Sequence, residues 1–86
     1  MSQLTLYYKP DCPYCQKVFT FMQQNGISVP LKNRDESPKI RQELIAIGGK
    51  PQVPCLVIDG KALYESDDII AWFKKNWRPA SQQAGK

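Results

Sequence analysis

Histidine is absent from this chain, and the gap removes whole chemistries. Cys–His nucleophile pairs are excluded, as are the common mixed Cys/His zinc sites. Cysteine is scarce too. Three are present, an odd number that leaves one thiol over in any secreted disulfide framework. A zinc site would need its fourth ligand from a carboxylate, a water or a second chain, so no metal is expected. Long apolar runs are missing as well, and nothing approaches the ~20 residues that span a bilayer. Met1-Ser2-Gln3 leads straight into a candidate strand, without a basic region or a cleavage site. The expectation is a cytoplasmic protein with no membrane partner. Charge does not gather either. Twelve basic and 8 acidic residues give a net +4, and the basic ones are scattered from Lys9 to Lys86. Nucleic-acid binders concentrate theirs in one stripe, so no nucleic acid is expected. Mild attraction for small anions fits this balance.

What is present is concentrated in Cys12-Pro13-Tyr14-Cys15. Two thiols at that separation can close into a small disulfide ring and reopen. In a reducing compartment such a pair points to catalysis or to metal, and the second CxxC that a zinc ribbon needs is absent. The pair sits where an apolar strand gives way to a helix, whose positive end favours a thiolate.

The 86 residues suffice for one small domain, expected over 1–78, with 79–86 as a flexible tail. Leu4-Thr5-Leu6-Tyr7-Tyr8 predicts a strand. Pro13 opens a helix that runs to about Asn25-Gly26. Cys15, Val18, Phe19 and Met22 form one apolar stripe along it. That stripe turns Cys15 inward, whereas Cys12 precedes the first turn and is expected to face water. A second strand is predicted over 27–31. A second helix follows from Pro38, with Ile40, Leu44 and Ile47 on its apolar face and Gly48-Gly49 at its close. Cys55-Leu56-Val57-Ile58 is a third strand, and Asp59-Gly60 turns it into a fourth, Ala62-Leu63-Tyr64. Ser66-Asp67-Asp68 caps a last helix bearing Ile69, Ile70, Phe73 and Trp77. The order βαβαββα predicts a parallel first pair, an antiparallel final hairpin and a mixed sheet covered by helices. Cys55 is expected to turn away from the face of Pro54 and to be a buried, inert thiol.

Lys9-Pro10-Asp11-Cys12-Pro13-Tyr14-Cys15, Val53-Pro54 and Ser66-Asp67-Asp68 together resemble a glutaredoxin over nearly the whole chain, to about Trp77. Tyr64-Glu65-Ser66 departs from the Gly-Gly pair of many glutaredoxins and looks more like the glutathione-binding half of a glutathione transferase. Gln52 stands where threonine is common. The resemblance implies a thioredoxin-like fold, with a four-stranded mixed sheet flanked by three helices. It implies glutathione as reductant and co-substrate, Cys12 as nucleophile and Cys15 as resolving thiol. Oxidised or glutathionylated proteins are the implied substrates, and a monomer is expected.

An X-Pro bond in a folded protein is cis only about 5–6% of the time, but the resemblance makes Val53–Pro54 cis and sets it facing the dithiol. The Val53 backbone would then pair with a peptide-like ligand such as glutathione. Ser66-Asp67 would receive its γ-glutamyl end, with helix N–H groups for the carboxylate and the Asp67 side chain for the ammonium. Lys9, ahead of Lys50 or Arg41, would meet the glycine carboxylate, and Tyr14 would form an aromatic wall. Two other readings follow from kin of this family. One is an iron–sulfur cluster held between two protomers, made less expected by Pro13. The other is a transferase-like glutathione-binding module, although 86 residues leave no room for a transferase's helical domain.

Overall fold

The computed structural model describes residues 3–76. Its elements are β1 (Leu4–Tyr8), α1 (Pro13–Gln24), β2 (Leu31–Asn33), α2 (Pro38–Gly48), β3 (Cys55–Ile58), β4 (Lys61–Tyr64) and α3 (Ser66–Asn76). The order βαβαββα is the one read from sequence. Trp77 and the expected tail, 79–86, lie outside the described residues.

The sheet runs β2-β1-β3-β4. β1 pairs parallel to β2 and antiparallel to β3, and β3 pairs antiparallel to β4. Side chains alternate across β1 and β3, and each face builds its own core. On one face Leu6 and Leu56 pack with Val18 and Met22 of α1 and with Ile69 and Phe73 of α3. On the other, Tyr7, Cys55 and Val57 pack with Leu44 of α2. Cys55 is thus buried beneath α2.

The helix ends follow their sequence signals. Ser37 caps α2, its hydroxyl accepting from the Ile40 N–H at 3.3 Å, and Pro38 takes the first turn. Gly49 closes α2 with φ 92°, a left-handed conformation that favours glycine.

Three details depart from the sequence expectation. The second strand begins at Leu31, where 27–31 was expected. The Ile27 N–H is taken by the Met22 carbonyl at 2.9 Å, and Pro30 has no N–H to give. Parallel pairing with β1 therefore starts only after Pro30. Ile47 is 37% exposed, because Gly48 occupies the place against Tyr64 and Ala62. Finally, the residue flanking α3 is Glu65, whose carbonyl accepts the Ile69 N–H at 3.0 Å. Ser66 is the first helical residue and not the cap.

A methyl group on Gly48 would lie 2.0 Å from the Tyr64 hydroxyl and 2.8 Å from the Ala62 Cβ. The hydroxyl is itself fixed, donating to the Lys50 carbonyl at 2.8 Å. Gly48→Ala is therefore expected to destabilise the domain by about 1–3 kcal/mol, like other overpacked sites. Urea unfolding should show a lower midpoint at unchanged slope. An unchanged midpoint would mean that Tyr64 swings away freely.

Candidate active site

Three chain segments meet at one end of the sheet. β1 leaves it at Tyr8 and passes through Lys9, Pro10 and Asp11 to Cys12. β3 enters it at Cys55, directly after a cis Val53–Pro54 bond. β4 leaves it at Tyr64 and turns through Glu65 into α3. The pairings Tyr7 with Cys55 and Cys55 with Tyr64 set these ends side by side. A cleft of about 380 Å³ opens there, lined by Tyr14, Gln52, Val53, Pro54, Glu65 and Ser66. That volume suits a small ligand.

Cys12 is the N-cap residue of α1. Its backbone is extended, and its sulfur accepts the Cys15 backbone N–H at 3.3 Å. The sulfur does there what a serine or aspartate oxygen does at other helix starts. No carboxylate occupies the first turn of α1, so the positive end of the helix faces this sulfur without competition inside the turn. The expectation that Cys12 faces water is not met, since it is only 5% exposed. Capping folds the side chain back over the first turn, and Tyr14, 65% exposed, stands at the surface.

Cys15 is fully buried, as its place on the apolar stripe predicts. Burial pushes its thiol up to about 12. The neighbouring Cys12 acts in the same direction, and the Lys9 backbone N–H opposes it. Burial likewise pushes Cys55 up to about 11. All three cysteines are free.

Of the residues singled out from sequence, Tyr14, Val53, Pro54 and Ser66 line the cleft together. Cys12, Cys15, Lys9 and Asp67 are not among its lining; the dithiol lies behind Tyr14, on the first turn of α1. Lys9 brings its backbone N–H toward the Cys15 sulfur. Asp67 is exposed and forms an ion pair with Lys17, tying α3 to α1. Lys50 lies over the Tyr64 ring, 4.7 Å from its centroid.

Two lining residues were not read as such. Gln52 Nε2 donates to Glu65 Oε2 at 3.1 Å, joining two walls of the cleft. Glu65 has φ 72°, a conformation rare for a residue with a Cβ. Its signal in the sequence was the Tyr64-Glu65-Ser66 run, which marked a family trait without placing a carboxylate in the cleft. Among the described residues, no group of three or more His, Cys, Asp or Glu side chains could hold a metal ion. No helix among them is long and apolar enough to cross a membrane.

Comparison with known proteins gives two kinds of relative. Residues 6–80 match the family "Glutathione S-transferase, N-terminal domain". Glutaredoxin 3 of Escherichia coli strain K12 is 30% identical over 71 residues, covering 83% of this chain and 86% of that protein. Among solved structures, glutathione transferase Omega 3C from Trametes versicolor superposes with a TM-score of 0.73 at 31% identity, over 85% of this chain and 33% of that one. The holo form of glutaredoxin C1 from Populus tremula x tremuloides gives 0.66 at 26% identity, over 85% of this chain and 75% of that one. The chain thus spans about a third of the transferase's length and most of each glutaredoxin's. The fold it shares with them is the thioredoxin-like one expected from sequence.

At neutral pH, iodoacetamide is expected to modify Cys12 before Cys15 or Cys55, read by mass spectrometry of digests. Modification of either buried thiol first would overturn the assignment. Stability should also carry the mark of the buried pair. The folded state keeps protons that the unfolded chain releases above the ordinary thiol value of about 8.5. This contribution is complete below that pH and is lost as pH rises, up to about 11 for Cys55 and about 12 for Cys15. Cys55→Ala should flatten the fall in unfolding free energy over that window, whatever its effect at pH 7.

Proposed function

The chain belongs to the glutaredoxin family and carries the sequence pattern of a glutathione S-transferase N-terminal domain; on that premise we propose that it is a glutathione-dependent thiol–disulfide oxidoreductase using Cys12 and Cys15. The observation that carries the reading is the capping sulfur of Cys12, set at a helix start one residue pair from Tyr14, the aromatic wall of the cleft. A thiol placed so, at the positive end of a helix and beside a cleft-lining ring, is a candidate nucleophile toward disulfides.

In the proposed reaction the Cys12 thiolate attacks the glutathione sulfur of a mixed disulfide. A Cys12–glutathione bond forms as the substrate's S–S bond breaks, and the substrate leaves as a thiolate that water protonates. The thiolate of a second glutathione attacks the bound glutathione sulfur, freeing Cys12 and releasing glutathione disulfide. For a protein disulfide, the Cys12 thiolate first attacks one sulfur and forms a Cys12–protein mixed disulfide as the substrate's S–S bond breaks. Cys15 then attacks the Cys12 sulfur, its proton going to the departing protein thiolate, and the Cys12–Cys15 ring closes as the reduced protein leaves. Two glutathione molecules then reopen that ring. A Cys15 thiol pushed up to about 12 is a sparse source of thiolate, which supports the one-cysteine route for glutathionylated substrates.

We assign the middle of glutathione to the Val53 backbone and its γ-glutamyl carboxylate to Ser66 and the start of α3. From sequence the ammonium was given to Asp67. The carboxylate on the cleft wall, however, is that of Glu65, while Asp67 faces Lys17. We therefore assign the ammonium to Glu65, whose other carboxylate oxygen is held by Gln52. Lys9 remains the assigned partner of the glycine carboxylate. The transferase-like run at 64–66 favours one second reading, a module that binds glutathione without turning it over. Saturable glutathione binding by wild-type protein that shows no disulfide turnover would select it.

Cys12→Ser should abolish turnover of a glutathionylated peptide, whereas Cys15→Ser should stay within about threefold of wild type. Equal loss in both would rule out the one-cysteine route. Glu65→Gln keeps the shape but removes the charge. It should raise KM for glutathione roughly tenfold with little change in kcat, the loss of one charge-assisted hydrogen bond. Glu65→Gly relieves the positive φ, so it should leave stability unchanged or raise it by up to about 1 kcal/mol while also raising KM. An unchanged KM in both variants, whatever their stability, would reduce Glu65 to a turn residue.

A further inference from the structure

Arg34 follows β2 directly, in the loop that leads to α2. Its backbone N–H donates to the Tyr8 carbonyl at 2.7 Å. Its guanidinium donates through Nη1 to the Pro51 carbonyl at 3.0 Å. Asp35 fixes the same guanidinium, with Oδ1 accepting from Nε at 3.0 Å and lying 2.9 Å from Nη2. The side chain is 18% exposed, so water competes for these bonds less than at the open surface.

The two carbonyls that Arg34 binds belong to segments that lead to two sides of the cleft, one toward Tyr14 and the other into Gln52, Val53 and Pro54. Tyr8 is the last residue of β1 before the loop to Cys12. Pro51 immediately precedes Gln52, Val53 and Pro54, three of the lining residues. Residues 50–54 belong to no helix or strand, so no ladder of backbone hydrogen bonds sets their place. Side chains do this instead. Tyr64 holds the Lys50 carbonyl, and Arg34 holds that of Pro51. A guanidinium locked by a carboxylate is a rigid donor, and its bond to a carbonyl is charge-assisted.

We propose that Arg34 is a positioning residue that sets the distance between the dithiol loop and the 51–54 wall, and through that distance the affinity for glutathione. The proposal rests on the glutathione reading given above. Arg34 is not among the residues that line the cleft, and its bonds go to Tyr8, Asp35 and Pro51, so its loss should act on binding and leave the chemical step alone. A wall held less firmly presents the Val53 backbone in its binding position for a smaller fraction of the time, and apparent affinity falls by that fraction.

The test compares wild type, Arg34→Ala and Arg34→Lys as full chains, by two measurements. The first is KM for glutathione and kcat with a glutathionylated peptide. The second, which needs no turnover, is hydrogen exchange at the Gln52 and Val53 amides against the Leu6 and Leu56 amides of the core. Arg34→Ala should raise KM about tenfold, leave kcat within about twofold, and speed exchange at Gln52 and Val53 alone. Arg34→Lys, with one ammonium for two acceptors, should fall between the two. Should the alanine variant fail to fold, the lysine variant carries the same comparison. Wild-type exchange at Gln52 and Val53, or faster exchange spread evenly through the sheet, would overturn the proposal. Wild-type protein without glutathione turnover would overturn the functional reading, and the exchange comparison would still decide whether Arg34 places the wall.

Discussion

The antiparallel pairing of β1 with β3 is the constraint on which the rest depends. Its register sets Tyr7 against Cys55, so the end at which β1 leaves the sheet is the end at which β3 enters. The chain before β3 carries Val53–Pro54, and the chain after β1 carries Cys12. Continued to β4, the same register sets Cys55 against Tyr64, which brings Glu65 and Ser66 to that end too. A slip of one residue would exchange the faces of Leu6 and Tyr7 and empty both cores at once. The hydrophobic alternation that fixes the fold therefore also fixes the cleft.

Periodicity explains how much of this was legible. Leu4–Tyr8 and Cys55–Ile58 are short, apolar and rich in β-formers, and their bounds match the structure. Pro13, Pro38, Gly49 and Asp59-Gly60 punctuate the chain where their own backbone preferences require. Where those preferences conflict, the reading slips. Val29 and Ile27 look like strand residues, yet Ile27 spends its N–H on the last turn of α1 and Pro30 has none. Ile47 has the right spacing for the apolar face of α2, but the sheet needs a residue without a side chain beside Tyr64, and Gly48 supplies it. Both outcomes depend on tertiary neighbours that no local pattern records.

The site divides along the same line. The inward turn of Cys15 was visible, because a helical stripe encodes it. The burial of Cys12 was not, since N-cap geometry folds the sulfur back and spacing alone cannot show that. Asp67 reads as the acidic residue of a helix start, which it is, but an exposed carboxylate goes to the nearest cation, and Lys17 one helix away is that cation. Glu65 reads as a strand end and becomes the carboxylate of the cleft because its φ of 72° turns the chain sharply into α3.

That turn is where local and global preferences part. Glycine or asparagine would adopt a left-handed φ at less strain, and from the backbone alone glycine would be the better residue at 65. Among the described residues a carboxylate there gains one hydrogen-bond donor, Gln52, which carries no charge and satisfies a single oxygen. The other oxygen borders a cleft whose remaining walls are an aromatic ring, a proline, a valine backbone and a helix start. Strain kept beside a carboxylate that has no cationic partner among the described residues, at the wall of a cleft, favours a cationic ligand group over a purely structural role. Only a ligand carrying a cation and an anion close together would satisfy Glu65 and the start of α3 at once. An amino-acid terminus is such a group, and the γ-glutamyl end of glutathione is one with a thiol a peptide's length away.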